Sequence, residues 1–463
     1  MFKALANVFK IPELRNKILF TLGMLVVYRI GYWIPLPGVN QELLVDYFQR
    51  ANEEGSAAAR AAQFVAIFSG GSFHQSTIFG LGIMPFITAS IIFQLLMAVS
   101  PKLKKLQDEG PTGRQKIQEW TRYVAVLLAM FQAIGWMSFM RATNLVLPAQ
   151  AANPVWWVMG VTALTAGTVF LMWLGEQIDR YGIGNGVSMI IMAGILTGMP
   201  GAVMWVIDNF DPADPQKLGL LAILLLALGF VAVIAGSVLL TVAQRRIPVQ
   251  QAKHTRGRRV YGGQKSYLPL RVNHSGVMPI IFASSLMIFP SVIFKALETQ
   301  ANATMPGSTW LQITTWLATE FGHGEFLYIL FELVLIYFFA YFWITVQFNP
   351  EEMAKQLRDH GSFIPGLRPG PRTAEYLETV MTRITYVGAA FLGVIAVLPM
   401  VINKNFNIDI RVTLFLGGTG LLITVAVVLD FIQRIEANLL MRNYAGFLGG
   451  EDGDGPRIRG PRG

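Results

Sequence analysis

The chain has 463 residues, 53% of them hydrophobic and only 14% charged, with a net charge of +9 and no cysteine. Soluble domains carry about 25% charged residues, so this composition cannot solvate a globule of the same size, and the mean hydropathy of +0.48 points to lipid. Disulfide scaffolds, thiolate metal sites and cysteine nucleophiles are excluded outright.

The first 17 residues are basic and run into an apolar stretch at Ile18. No small-residue cleavage site follows, only Ile-Pro-Leu-Pro-Gly, so the first span is expected to be retained rather than removed as a signal peptide. A spanning helix needs roughly 20 mostly apolar residues. About ten segments qualify: 18–35, 77–99, 123–140, 155–175, 186–207, 218–243, 276–297, 326–346, 384–402 and 412–432. The fifth, Gly-rich and interrupted by Pro200, matches the pattern least well. With the N-terminus placed in the cytoplasm, the inner segments hold 29 of the 37 Lys and Arg and the outer segments hold 6. Loop Lys/Arg asymmetry sets orientation, so both termini are expected to be cytoplasmic.

Between the spans, the external loop 37–76 contains an Ala-rich stretch, then apolar residues from Phe64 to Phe68, then Gly70 and Gly71. The cytoplasmic loop 244–275 carries eight basic residues and no acidic one, whereas 347–383 mixes both signs. A positive-inside loop needs Lys and Arg for topology alone, but that does not account for the loop's length or its Gly-Arg-Arg tip. The tail from Gly449 is rich in Gly, Arg and Asp and reads as disordered.

Gly82–Ser90, GIMPFITAS, matches Gly276–Ser284, GVMPIIFAS, at six of nine positions. These segments open the second and seventh spans. An odd number of spans separates them, so the halves 18–207 and 218–436, joined by an external loop at 208–217, read as inverted repeats. Such repeats place a pathway at their interface. Pro85 and Pro279 each remove a backbone donor, which is expected to weaken both helices where the halves meet.

Chemistry-bearing residues are scarce within the spans. Only Arg29, Glu332 and, near a cytoplasmic end, Asp430 stand out there, and all five histidines fall in loops. No zinc-protease, nucleophile-elbow or phosphate-loop motif is present. The glycines at 182, 184 and 186 lack the strand–turn–helix setting of a dinucleotide site and read as a tight connection between spans. Scarcity of intramembrane ionisable groups counts against an ion-coupled solute transporter, and the lack of a nucleophile–base pair counts against an intramembrane enzyme. No cofactor or metal is expected.

Four strings closely resemble the bacterial SecY family: residues 68–96, 170–191, 257–273 and 349–370, within a similarity running from about Ile18 to Leu448. The resemblance implies an all-α polytopic channel of about ten helices in two pseudo-symmetric, inverted five-helix halves. It would conduct unfolded secretory and membrane polypeptides across the bacterial cytoplasmic (inner) membrane and release apolar helices into the lipid bilayer between spans two and seven. It further implies an aliphatic pore ring at Ile83, Ile87, Ile191, Ile281 and Ile423. Ile83 and Ile87 share a helix face, and the repeat pairs Ile87 with Ile281. Composition alone reads these isoleucines as ordinary core- or lipid-facing residues.

By the same resemblance, segment 61–75, with Phe64, Ile67, Phe68, Gly70 and Gly71, is a plug; from its residues alone it is an external loop with an apolar patch. Thr88, Ser90, Gln94, Ser284 and Ser285 are the polar residues of the lateral gate, read either as bonds across it or as back-bonding within each helix. Arg258, Arg259 and Arg368 match positions that contact the ribosome or the SecA motor ATPase. A mobile basic loop suits rRNA phosphates. SecE and SecG are the implied partner subunits.

Overall fold

Helices are the natural fate of such apolar runs, because hydrocarbon offers the backbone no water to bond. The computed structural model describes residues 11–53, 76–147, 150, 153–211, 219–251, 254–256, 259–261, 265–274, 276–304, 307–322, 324–406 and 418–448. The described helices, in chain order, are α1 Pro12–Gly31, α2 Gln41–Glu53, α3 Met84–Val99, α4 Pro101–Asp108, α5 Pro111–Ala142, α6 Pro154–Tyr181 and α7 Gly186–Asp208. They continue as α8 Leu220–Val242, α9 Met278–Thr304, α10 Thr309–Glu320, α11 Phe326–Gln347, α12 Pro350–Asp359, α13 Pro371–Phe406 and α14 Gly418–Leu448. Every expected span falls on one of α1, α3, α5 to α9, α11, α13 and α14. Six described helices are long and apolar enough to cross a membrane, and the bent pair α3–α4 would make a seventh.

Proline marks many of the starts. α1, α3, α4, α5, α6, α9, α12 and α13 each carry Pro in their first two positions, where the missing N–H would have no partner anyway. Pro85 and Pro279 belong to this group, for each is the second residue of its helix. They initiate α3 and α9 and do not weaken them, which corrects the expectation from sequence. The prolines that do lie inside helices are Pro200 in α7 and Pro290 in α9.

The two repeat segments also share a backbone device. Gly82 and Gly276 both have positive φ, 57° and 63°. This region is open to glycine at no steric cost, and it turns the chain into each helix. α3 is short: its 16 residues span about 24 Å. The stretch before it is built of turns, with Gly80 N–H donating to Thr77 O and Gly82 N–H to Phe79 O. Non-helical backbone at membrane depth is tolerated where protein covers it, and Thr77, Phe79, Leu81 and Ile83 are all buried.

α3 packs on α5, α5 on α6, and α6 on α7 and α1. Separately, α9 packs on α11, α11 on α13, and α13 and α8 on α14. The two sets meet where α7 lies on α14 and where Leu14 and Ile18 share a cluster with Ile183 and Ile435. Gly167 permits a tight approach in the first set, because any side chain there would run into the Ile78 carbonyl. Leu36, Val39 and Leu44 join Trp136, Met140 and Trp156 in one core. Trp136 donates to Ser76 Oγ and Trp156 to Pro37 O, both at 3.1 Å.

The basic loop 244–275 adds β-structure to the expected all-helical fold. β1 Gln244–Gln251 and β4 Lys265–Arg271 pair antiparallel from Gln244↔Arg271 to Gln250↔Lys265. β2 His254–Arg256 pairs with β3 Arg259–Tyr261 further out. β5 Ser362–Phe363, from the loop 347–383, joins the far end of β1 at Gln250 and Gln251. Ile247, Val249 and Leu270 bury their side chains against Phe348, Ile364, Leu377, Val380 and Met381.

Candidate functional site

The five isoleucines singled out in sequence all lie in one buried cluster. Their exposures are 0% for Ile83, 8% for Ile87, 6% for Ile191, 5% for Ile281 and 3% for Ile423. Ile83 is the residue that caps α3, and Ile87 sits one turn on, its N–H bonding Ile83 O at 3.1 Å. Ile191 is on α7, Ile281 in the first turn of α9 and Ile423 in the first turns of α14. Both helix sets therefore contribute. The rest of the cluster is Tyr28, Phe79, Leu171, Leu174, Ile178, Ile190 and Ile195. Tyr28 and Phe79 stack with centroids 6.4 Å apart. Composition gave no sign of this aromatic pair beside the isoleucines, since neither residue lies in the repeat.

A narrow site lined by branched aliphatic side chains offers almost nothing for a solute to bond to. It can close tightly, resist wetting and yield to groups of different size. Carbonyl transfer, phosphoryl transfer and metal chemistry have no footing in such a lining, and no cluster of metal-ligating side chains occurs among the described residues.

The proposed gate residues behave differently from one another. Thr88 Oγ1 donates to Met84 O at 3.0 Å within α3. Ser284 Oγ donates to Glu332 Oε1 at 3.0 Å, tying α9 to α11. Both bonds stay inside their own helix set, and neither crosses from α3 to α9. Gln94 and Ser90 are partly buried, and the Gln94 side-chain oxygen has no hydrogen-bond partner among the described residues. The Ser285 side chain lies outside the described residues. Among the described residues, α3 and α9 share apolar clusters: Ile87 and Ile281 belong to the isoleucine cluster, while Ile91 packs on that cluster and on the one containing Ile280 and Ala283.

Glu332 was visible in sequence only as an isolated charge. It is 1% exposed, its Oε2 has no hydrogen-bond partner among the described residues, and Ser284 donates to its Oε1. Arg29 sits over the Tyr32 ring, 4.0 Å from its centroid. Between α6 and α7 the glycines form the expected tight connection. Asn185 caps α7 by accepting from Ser188 N–H, and Asp179 accepts from Gly186 N–H at 2.8 Å.

Of the three candidate docking arginines, Arg368 is exposed and its carbonyl accepts from Thr373 Oγ1. Arg259 lies in β3, whereas Arg258 is outside the described residues. The whole segment 61–75, with Phe64, Ile67, Phe68, Gly70 and Gly71, is outside them as well.

The SecY family model matches residues 77–432. The protein translocase subunit SecY of Chlamydia muridarum is 41% identical over 458 residues, covering 96% of this chain and 97% of the relative. The protein of the same name from Halalkalibacterium halodurans is 42% identical over 453 residues, covering 97% and 100%. Among solved structures, a protein-conducting channel aligns with a TM-score of 0.59 at 18% identity over 97% of this chain and 99% of that one. Sec61 from the canine ribosome–channel complex aligns at 0.55 and 17% identity, with the same coverage. At such identities these structures speak to the fold alone.

Proposed function

The chain belongs to the SecY family, and from that membership we propose how its parts conduct polypeptide. It is a multi-pass membrane protein and the channel subunit of a protein translocase, not an enzyme. The neck of the channel is the ring Ile83, Ile87, Ile191, Ile281 and Ile423. The observation that carries this reading is the convergence of these residues, from four elements and both helix sets, in one buried aliphatic cluster. A closed aliphatic neck holds back ions by excluding water. It parts for an extended chain without gripping any particular side chain.

Ten crossings in two five-helix halves, 18–207 and 218–436, place both termini and the loops 244–275 and 347–383 in the cytoplasm, in keeping with the Lys/Arg asymmetry. Residues 208–217 are the hinge. The seam between α3 and α9 is the lateral exit, and the apolar packing across it supports that assignment, since only weak contacts need part. A passing helix partitions into lipid by about 0.3–0.6 kcal/mol per central Leu or Ile, while a central charge opposes by about 2.5–3.5 kcal/mol. Segment 61–75 is the plug. Arg258, Arg259 and Arg368 dock the ribosome or SecA, and SecE and SecG complete the translocase in the bacterial inner membrane.

The test is a stalled translocation intermediate. Photo-cross-linkers at Ile87, Ile191 and Ile281 are expected to capture the stalled chain, and one at lipid-facing Leu239 is not. Capture at Leu239 and none at the isoleucines rejects the neck.

A further inference from the structure

Helix α10 has 12 residues, too few for the roughly 20 that a crossing needs. Residues three and four apart share a helix face, and the sequence of α10 sorts onto three such faces. Leu311, Thr314, Leu317 and Ala318 turn inward and are buried or half-buried. Gln312, Thr315 and Thr319 make an exposed polar face without a charge. The third face is Trp310, Ile313 and Trp316, which are 49%, 51% and 56% exposed. A helix lying between its own protein and water needs one apolar and one polar face. The two exposed tryptophans and the isoleucine are surplus to that arrangement.

Neighbouring helices hold α10 in place. It follows α9, precedes α11 and packs on both. Ser291 Oγ of α9 donates at 2.9 Å to the carbonyl of Phe321, the residue that caps α10. The Phe321 ring sits against Phe294 of α9 and Phe331 of α11, with centroids 4.8 and 5.3 Å away. The residues preceding those two, Ile293 and Leu330, are both exposed. The apolar outer surface of the two supporting helices therefore reaches the level at which α10 is attached.

We propose that α10 lies in the membrane–water interface, with Trp310, Ile313 and Trp316 inserted at the headgroup–acyl boundary and Gln312, Thr315 and Thr319 facing water. Indole rings concentrate at that boundary because they join a large apolar surface to an N–H donor. The helix holds no basic residue, so its hold on the bilayer comes from apolar area and owes nothing to anionic headgroups. The proposal rests on reading α9 and α11 as adjacent spans and is independent of the isoleucine neck.

The chain lacks cysteine, so a nitroxide can be attached at single chosen sites. Ile313→Cys, Thr315→Cys and Val334→Cys are each spin-labelled in the full-length protein and reconstituted into phosphatidylcholine vesicles. Collision with oxygen and with a water-soluble nickel chelate, present on both sides, then reports depth. The Ile313 label is expected about 5–10 Å below the headgroup boundary, open to oxygen and closed to nickel, whereas the Thr315 label meets nickel. Nickel access at Ile313 equal to that at Thr315 overturns the proposal, because both faces then stand in water. Shielding of Ile313 from both reagents overturns it as well, because protein then covers the face. Val334, exposed and well inside α11, separates this proposal from the reading beneath it: its label is expected in lipid whatever α10 does. Nickel access at Val334 would mean that α11 does not span, and the proposal would fall with that reading.

Discussion

Removing the hydroxyl of Ser284 tests the least expected contact in the fold. Glu332 is 1% exposed and takes a 3.0 Å bond from that hydroxyl, while its other oxygen has no partner among the described residues. Ser284→Ala therefore leaves a buried carboxyl without its side-chain donor. A hydrogen bond to a charged group contributes about 1.5–3 kcal/mol, and an orphaned buried acceptor costs a similar amount. Glu332→Leu removes the acceptor instead, and the freed Ser284 hydroxyl can turn back to a carbonyl of its own helix, as Thr88 does. The single substitutions should therefore differ in cost. The double variant should lie near Glu332→Leu alone, because deleting both partners removes the unmet demand. Denaturant titration in mixed micelles, read by tryptophan fluorescence, gives the four stabilities and their coupling. A Ser284→Ala cost below about 0.5 kcal/mol, or a coupling near zero, would refute the claim that this bond anchors α9 to α11.

Replacing Ile87 and Ile281 by Ser should make resting proteoliposomes leak ions, since polar side chains wet a narrow aliphatic neck; unchanged conductance would speak against the ring. Gly276→Ala meets no atom within 4 Å but must hold a φ of 63°, so it should destabilise by about 1–2 kcal/mol through backbone strain alone. Parent-like stability would mean that the turn is not needed to start α9. Charge reversal of Arg258 and Arg259 to Glu should lower ribosome or motor affinity and flatten its salt dependence; unchanged binding at every salt concentration would leave topology as the only role of those charges.

Helix positions were legible because hydrocarbon enforces them: apolar length sets the spans. The isoleucines were legible only through the family resemblance and the repeat. On hydropathy alone, Ile87, 8% exposed, cannot be told from lipid-facing Ile30, 58% exposed. Pro85 and Pro279 were misread because a proline's effect depends on its distance from the helix start, and the turns at 77–83 look as apolar as a helix. The ribbon of β1 and β4 escaped notice because charges obscure its alternation; only Ile247, Val249 and Leu270 carry the buried face. The Ser284–Glu332 bond joins residues 48 positions apart, and nothing local in either segment announces it.

The β1–β4 ribbon has a mechanical consequence. Seven paired positions at about 3.4 Å each make a stiff arm of roughly 20 Å. One of its rails leaves the foot of α8 and the other feeds the head of α9, three residues upstream of Ile281. A force applied at the tip would therefore act on both helices without reaching into the bilayer. The β5 strut braces the arm to the neighbouring loop, so a push on either loop rocks the other.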